Sequence, residues 1–383
     1  MKITVIGWYG TETIGDRAIL AGLISFFNKS FSQFELKLGS LYPFFSDRTI
    51  NEDHSFYKEL TKKKCNIEIF NSKDSCSLLN AIKTSDFLVM GGGPLMDLNE
   101  LFMVEYAFKK AKKFGIKTAL LGCGIGPLFN KKYRKSVFEI SLNSDIHILR
   151  DRQSKENLTD IYHEFGKKIG KSSIHTSYDP AVECVNEYIQ HSNEKRLEYI
   201  AINLREFPQE YSQGNRSEGI NEGLREFIKD IAEEFLEKEI KLIPMHYFHI
   251  GGDDRVFLNN IALELNLENI CVQNKNLNLK ETIDVYSKAY FNIGMRFHSV
   301  VLQTIASGRN YVLDYTEPNK GKINGFLKDI DKNGFYDNRY ISLQEDKIRM
   351  DIINNLDDTF VLNNNDIRKT LAIYTELLSR LGK

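Results

Sequence analysis

Residues 1–27, MKITVIGWYGTETIGDRAILAGLISFF, hold a strand, a glycine-bounded loop and a helix in that order. The run Ile3–Ile6 is short, wholly β-branched and closed by Gly7, which is how a strand buried on both faces reads. Beyond the loop a helix is predicted from near Asp16, because Ile19, Leu20, Leu23, Ile24 and Phe27 recur at helical spacing. Such a unit continues outward as further strands at Leu36–Leu41, Phe87–Met90, Thr118–Gly122 and Ile146–Arg150. Between them Leu101, Val104, Phe108 and Ala111 mark a helix that Gly115 ends.

After the polar stretch 190–196 the alternation resumes, with strands predicted at Tyr199–Leu204, Lys241–Met245, Ile270–Gln273, Tyr290–Ile293 and Tyr311–Asp314. Strands alternating with helices mean parallel sheets wrapped by helices. The expected fold is therefore α/β, with two Rossmann-like domains at 1–190 and 191–345 and helices in 346–383 free to pack across their boundary. Parallel sheets of this kind bind ligands beyond the carboxyl ends of their strands, so the two domains are expected to face a central cleft.

The 383 residues, 42% of them hydrophobic, suffice for two cores, and a formal net charge of -1 supplies no field for nucleic acid. Charge is less even locally: residues 1–190 carry 26 basic and 22 acidic side chains, the remainder 25 and 30. The surplus gathers between Lys109 and Arg134, either as a solvated helix face or as a weak peripheral contact for an anionic membrane. Cys65, Cys76, Cys123, Cys184 and Cys271 are odd in number and form no CxxC, which argues against a disulfide framework and a zinc site. No apolar run approaches the ~20 residues of a membrane span, and the first segment lacks a signal peptide's apolar core, so a cytoplasmic location is expected.

Three glycine-rich loops follow predicted strands: GWYGTETIGD with Tyr9, Gly10, Glu12, Gly15 and Asp16; GGGPLMD with Gly91, Gly92, Gly93 and Asp97; and GCGIGP with Gly124 and Gly126. Each offers backbone N–H groups to an anion, or merely the tight turn any α/β protein needs. No GxGxxG occupies the first turn and no GxxxxGK[ST] occurs, which leaves a dinucleotide fold or P-loop unsupported. GMRFHSVVLQTIASG says more, because Arg296 and His298 stand together at a strand's carboxyl end and a helix's amino end. Arginine grips a carboxylate or phosphate through two bonds, and a histidine titrating near neutrality can deliver a proton. His246, His249, Asp253 and Asp254 are the nearest thing to a metal-ligand cluster, and their spacing fits no strong pattern.

GWYGTETIGDRAIL, GGGPLMD, LGCGIGP, LRDRQS, DPA after Tyr178, PMH from Pro244 and GMRFH, in this order and at these separations, resemble the polysaccharide pyruvyl transferase family over roughly residues 1–330. The resemblance implies a GT-B-like pair of domains, phosphoenolpyruvate as donor, and a cell-surface glycan or its lipid-linked precursor as acceptor. It implies no metal or nucleotide cofactor. It places Arg296, His298 and Arg150 on the donor, with Lys322 in GKINGFL as the donor-site lysine and Lys320 in competition. Many members carry an asparagine before the first loop's second glycine, where this chain has Thr11-Glu12-Thr13-Ile14-Gly15; Glu12 is thus expected to shape the acceptor end. An acid must help deprotonate the acceptor hydroxyls, and Asp97 and Asp16 are the candidates. Two readings compete: a nucleotide-sugar glycosyltransferase of the same architecture, for which Glu281 would be the ribose-binding acid, and a non-catalytic glycan-binding member of the fold.

Overall fold

A computed structural model describes residues 1–11, 13–63, 65–168, 170, 173–189, 196–211, 216–248 and 252–381. Contacts divide the chain into two compact units, one of residues 1–12, 16–187 and 363–383 and one of residues 13–15 and 188–362. Among the described residues there are fourteen strands and thirteen α-helices.

The first unit runs β1 (Lys2–Ile6), α1 (Ile14–Ser30), β2 (Glu35–Ser40), α2 (Pro43–Thr61), β3 (Ile67–Asn71), α3 (Ser75–Lys83), β4 (Phe87–Gly91), β5 (Pro94–Leu95), α4 (Leu101–Lys113), β6 (Lys117–Ile125), α5 (Lys131–Leu142), β7 (Ile146–Leu149), α6 (Arg152–Glu164), β8 (Ile174–Thr176) and α7 (Pro180–Ile189). Its sheet is parallel in the order β3-β2-β1-β4-β6-β7-β8, with β5 beside the end of β6. All five residues of β4 are buried, as expected of a central parallel strand. The sequence reading missed β3, β5 and β8; β3 lies at the sheet edge with alternating polar residues, and β5 and β8 are only two and three residues long.

Register shifts in β6 between Leu121 and Cys123, where Gly122 has φ +69°. A Cβ on Gly122 would lie 2.2 Å from Cδ of Pro180 and 2.8 Å from the Tyr374 hydroxyl, so a side chain here meets both strain and collision. Tyr374 belongs to the last helix, α13 (Asn364–Leu381), which the chain returns to the first unit. Its ring stacks on Phe26 with centroids 4.3 Å apart, and its hydroxyl donates to the carbonyl of Tyr178 at 2.8 Å. Stacking of this kind is worth about 0.5–1.5 kcal/mol beyond the buried area.

The second unit runs β9 (Tyr199–Asn203), α8 (Arg216–Glu234), β10 (Glu239–Leu242), α9 (Asp254–Leu265), β11 (Ile270–Val272), α10 (Leu279–Lys288), β12 (Asn292–Gly294), α11 (Phe297–Ala306), β13 (Asn310–Asp314), α12 (Lys322–Ile330) and β14 (Tyr340–Ser342). Its parallel order is β11-β10-β9-β12-β13-β14. The chain thus winds outward from β9 through β10 to β11, then returns to lay β12 on the other flank of β9. At that reversal, beyond the carboxyl ends of β9 and β12 where such folds bind ligands, Arg205, Asp254 and Arg296 line a crevice. The doubly wound α/β fold expected from the sequence is present in both units.

Candidate functional site

The crevice beside β9 and β12 is organised by a buried asparagine. Asn203 ends β9 and is fully buried; its Oδ1 accepts from the Arg296 amide at 3.0 Å and its Nδ2 donates to the Ile243 carbonyl at 2.9 Å. The carbonyl of Asn203 also accepts from the Met295 amide at 3.1 Å. One side chain therefore ties together the ends of β9, β10 and β12.

Arg296, held there by its backbone, precedes α11 and turns its side chain onto Asp254, the first residue of α9. Nε donates to both carboxylate oxygens at 2.7 and 3.0 Å, and Nη2 donates to Oδ1 at 2.5 Å. Oδ2 of Asp254 also accepts from the amides of Met245 and His246 at 3.0 and 3.1 Å. Burial would lower the arginine's pKa, but the adjacent carboxylate outweighs it and the guanidinium is held more firmly cationic than usual. Nη1 has no protein partner among the described residues, so the fork is braced along one edge and keeps a donor for a ligand.

His298 lies in the first turn of α11, two residues beyond Arg296. Beneath its ring passes Thr13–Gly15, which belongs to the second unit: Ile14 donates its amide to the Met245 carbonyl at 3.1 Å, and Thr13 bridges His246 antiparallel. Gly15 is required by this approach, since a Cβ there would stand 2.0 Å from Nδ1 of His298. The glycine expected at a phosphate loop thus serves, in this structure, to seat an imidazole. Glu12 lies outside the described residues.

Lys322 and Lys320 part company. Lys320 is exposed in a turn, where its amide donates to the Glu317 carbonyl at 3.2 Å. Lys322 opens α12 and lies over two aromatic rings, with Nζ 5.7 Å from the centroid of Tyr315 and 6.0 Å from that of Phe297. The Arg205 guanidinium lies 5.4 Å from the same Tyr315 ring. Arg296, Lys322 and Arg205 thus all act electrostatically on the Tyr315 phenol, which sits just past β13. Asn203, Arg205, Asp254 and Tyr315 were not singled out for these roles from the sequence. The available signal was positional: Asn203 and Asp314 are the polar last residues of apolar strands, with Arg205 and Tyr315 just beyond them.

In the first unit Arg150 follows β7 and is 3% exposed, with Nε 3.3 Å from Asp151 and Nη1 3.8 Å from Asp179. Its guanidinium lies against Gly124, where a Cβ would come within 2.5 Å of Nη2. Asp97 accepts through Oδ2 from the amides of Phe129 and Asn130 and from Nδ2 of Asn130, while its buried Oδ1 has no partner among the described residues. Asp16 accepts from the Thr11 hydroxyl at 3.3 Å. Tyr9 donates its hydroxyl to the Gly91 carbonyl at 2.7 Å, and burial pushes its pKa well up. Gly92, Gly124 and Gly126 give their amides to the carbonyls of Leu121, Gly93 and Leu95. Those three N–H groups are spent within the sheet's own extension, and Gly10, with φ +90°, packs beneath Tyr42 with a Cβ site 2.8 Å from its amide.

Other candidates are occupied by local structure. Glu281 completes a capping box with Asn278 at the start of α10, which uses its carboxylate on the Asn278 amide. Asp253 caps α9 and pairs with Arg255. His249 lies outside the described residues, and among those described no group of three or more His, Cys, Asp or Glu side chains could hold a metal ion. In the basic cluster, Lys109 pairs with Glu105 and Glu139, Lys112 with Asp145, and Arg134 with Glu164. No helix among the described residues is long and apolar enough to cross a membrane.

The two parallel sheets have counterparts among solved structures. The UDP-GlcNAc 2-epimerase from Neisseria meningitidis is 14% identical, the alignment covers 100% of this chain and 94% of that one, and the TM-score is 0.56. For the UDP-GlcNAc 2-epimerase from Methanocaldococcus jannaschii the values are 16%, 98%, 100% and 0.53. At such identities the likeness is one of fold, the GT-B-like type. Comparison with curated proteins finds no match. The family model for polysaccharide pyruvyl transferase matches residues 14–316, which include Arg296, His298 and the crevice at β9 and β12. The chain belongs to the polysaccharide pyruvyl transferase family.

Proposed function

We propose that the chain transfers the enolpyruvyl unit of phosphoenolpyruvate to a sugar of a cell-surface glycan or its lipid-linked precursor, closing a pyruvate ketal across two hydroxyls and releasing phosphate. The observation that carries this reading is the gathering of Arg296, Arg205 and Lys322 about one locus beyond β9, β12 and β13, with His298 on the adjoining helix turn. A small donor bearing both a carboxylate and a phosphate calls for several cations and one acid, and this set supplies them.

His298 delivers a proton to the donor's methylene carbon, and the neighbouring C2 becomes oxocarbenium-like. The first sugar hydroxyl bonds to C2 and loses its proton to a base. Asp97 is the proposed base, because Oδ2 is locked by three donors while Oδ1 keeps its lone pairs. The second hydroxyl then takes the place of phosphate on C2. Arg150 stays in the proposal as a further cation for the donor, although its burial beside two carboxylates ranks it behind the second unit's cations.

The test is incubation of the purified chain with phosphoenolpyruvate and a panel of synthetic and lipid-linked glycans, followed by mass spectrometry. A mass gain of one ketal-linked pyruvate with stoichiometric phosphate is expected. Nucleotide release from sugar nucleotides, with phosphoenolpyruvate untouched, would replace this reading by a glycosyltransferase.

A further inference from the structure

This inference rests on the phosphoenolpyruvate reading above and concerns Tyr315. Several buried tyrosines elsewhere in the chain give their hydroxyls to oxygen acceptors: Tyr9, Tyr199, Tyr311 and Tyr374 to backbone carbonyls, Tyr188 to Asp284 and Tyr336 to Asn310. Tyr315, only 4% exposed, instead has cations about its ring, with Nζ of Lys322 5.7 Å and the Arg205 guanidinium 5.4 Å from its centroid. The charged groups acting on it come from three elements and are all cations: Lys322 on α12, Arg205 after β9 and Arg296 after β12. Tyr211 closes the remaining side with a ring edge 5.6 Å away at 85°. Gln344 fixes the backbone, donating to the carbonyls of Tyr315 and Thr316 at 3.1 and 2.9 Å.

A tyrosine needed only for packing would not be surrounded this way, since burying a phenol among cations costs desolvation on both sides. Burial by itself would raise the phenol's pKa, yet Lys322, Arg205 and Arg296 together bring it below the usual value. The phenolate is therefore stabilised where an anionic donor is also expected to lie.

We infer that the Tyr315 hydroxyl is a proton-transferring group of the donor site, acting on the phosphate as it leaves. When the C2–O bond to phosphate breaks, its electron pair stays on the phosphate oxygen, and that oxygen takes the phenol proton. The phenolate, held by Lys322, then accepts the proton of the second sugar hydroxyl as that oxygen bonds to C2. One acceptor proton thus ends on phosphate through Tyr315. The other leaves the first hydroxyl to the base and solvent and is replaced on the methyl carbon through His298, so atoms and charges balance without a further reactant.

The experiment compares the wild-type chain with Tyr315→Phe in phosphate release from phosphoenolpyruvate with the glycan acceptor, from neutral to alkaline pH, beside calorimetric binding of phosphoenolpyruvate. The variant is expected to bind the donor within about threefold of wild type while kcat falls by roughly 10²-fold or more. The wild type's alkaline loss of activity should be absent from the residual rate. A kcat within about threefold of wild type, or an unchanged alkaline limb, overturns the assignment and leaves the donor reading standing. Wild type that releases no phosphate from phosphoenolpyruvate under any condition overturns both. If Tyr315→Phe folds poorly, near-UV titration of the wild type decides. Saturating phosphoenolpyruvate must raise the midpoint of its earliest-ionising tyrosine, because a bound anion disfavours phenolate, and an unmoved midpoint refutes the role.

Discussion

Arg296 and Asp254 meet edge to edge, with Nε and Nη2 of the guanidinium both on one carboxylate at 2.5–3.0 Å. Asp254 is 2% exposed in its side chain and Arg296 17%, so the pair is largely shielded from water. The same carboxylate also receives the amides of Met245 and His246, which fixes the exit loop of β10 against α9. A lone surface arginine could reach a phosphate in many geometries. This one is confined to a single plane before any ligand arrives.

Removing one member of a buried pair strands the other, at a typical cost of about 3–5 kcal/mol, whereas removing both is less harmful. Asp254→Asn keeps an acceptor for the two amides, so its effect reports the charge. In urea unfolding we expect Asp254→Asn and Arg296→Ala to be strongly non-additive, the double variant losing less than the sum by ~1–3 kcal/mol. Additive losses would show that the two residues are not coupled in the folded chain.

Arg296 and His298 are expected to separate by experiment, one being a fixed cation and the other a proton carrier. Arg296→Ala removes a charge-assisted contact worth ~1.5–3 kcal/mol and should weaken phosphoenolpyruvate binding by roughly ten- to a hundredfold. His298→Gln keeps a donor but carries no proton, so binding should hold while turnover drops by ~10²–10⁴. Calorimetry beside steady-state rates reads both. Near-normal turnover in His298→Gln would reduce the imidazole to a phosphate ligand.

Lys322 is expected to matter and Lys320 not. Lys322→Ala removes the ammonium over Tyr315 and Phe297 and should raise KM for phosphoenolpyruvate about tenfold or more, a charge-assisted contact being worth ~1.5–3 kcal/mol. Lys320→Ala, in an exposed turn, should leave KM within about twofold, as surface substitutions generally do. The reverse order would move the donor away from β13.

The fold was legible in residues 1–27 because parallel strands buried on both faces announce themselves as unbroken apolar runs, and Arg296 with His298 was legible because the pair sits where such a strand ends. Other features left weaker traces. Asn203 is the polar last residue of one apolar strand and Tyr315 lies just past another, and only the sheet order reveals that β9 and β12 are neighbours across a reversal. Asp254 looked like part of a loose histidine and aspartate cluster. Its partner lies 42 residues away in sequence, a distance that no local pattern bridges. Gly15 was read as a phosphate-loop glycine, and its role against His298 depends on a contact between residues nearly 300 positions apart.

The first unit offers a pH test independent of the catalytic reading. Asp145 staples β6 to β7: Oδ2 accepts from the amide and hydroxyl of Thr118 at 3.0 and 3.1 Å, and Oδ1 pairs with Lys112 at 3.1 Å. Burial raises its pKa, but these donors outweigh that effect, and the net shift is downward. A carboxyl group whose folded pKa lies below the unfolded value of about 3.9 adds stability that is present above that value and lost as pH falls through the folded one. Asp145→Asn should therefore be less stable than wild type at neutral pH, and the gap should close as pH drops below about 4. Urea melts of both proteins along a descending pH series measure it. A gap that stays constant into acid would mean that shape and neutral hydrogen bonding, and not the ionised carboxylate, hold β6 against β7.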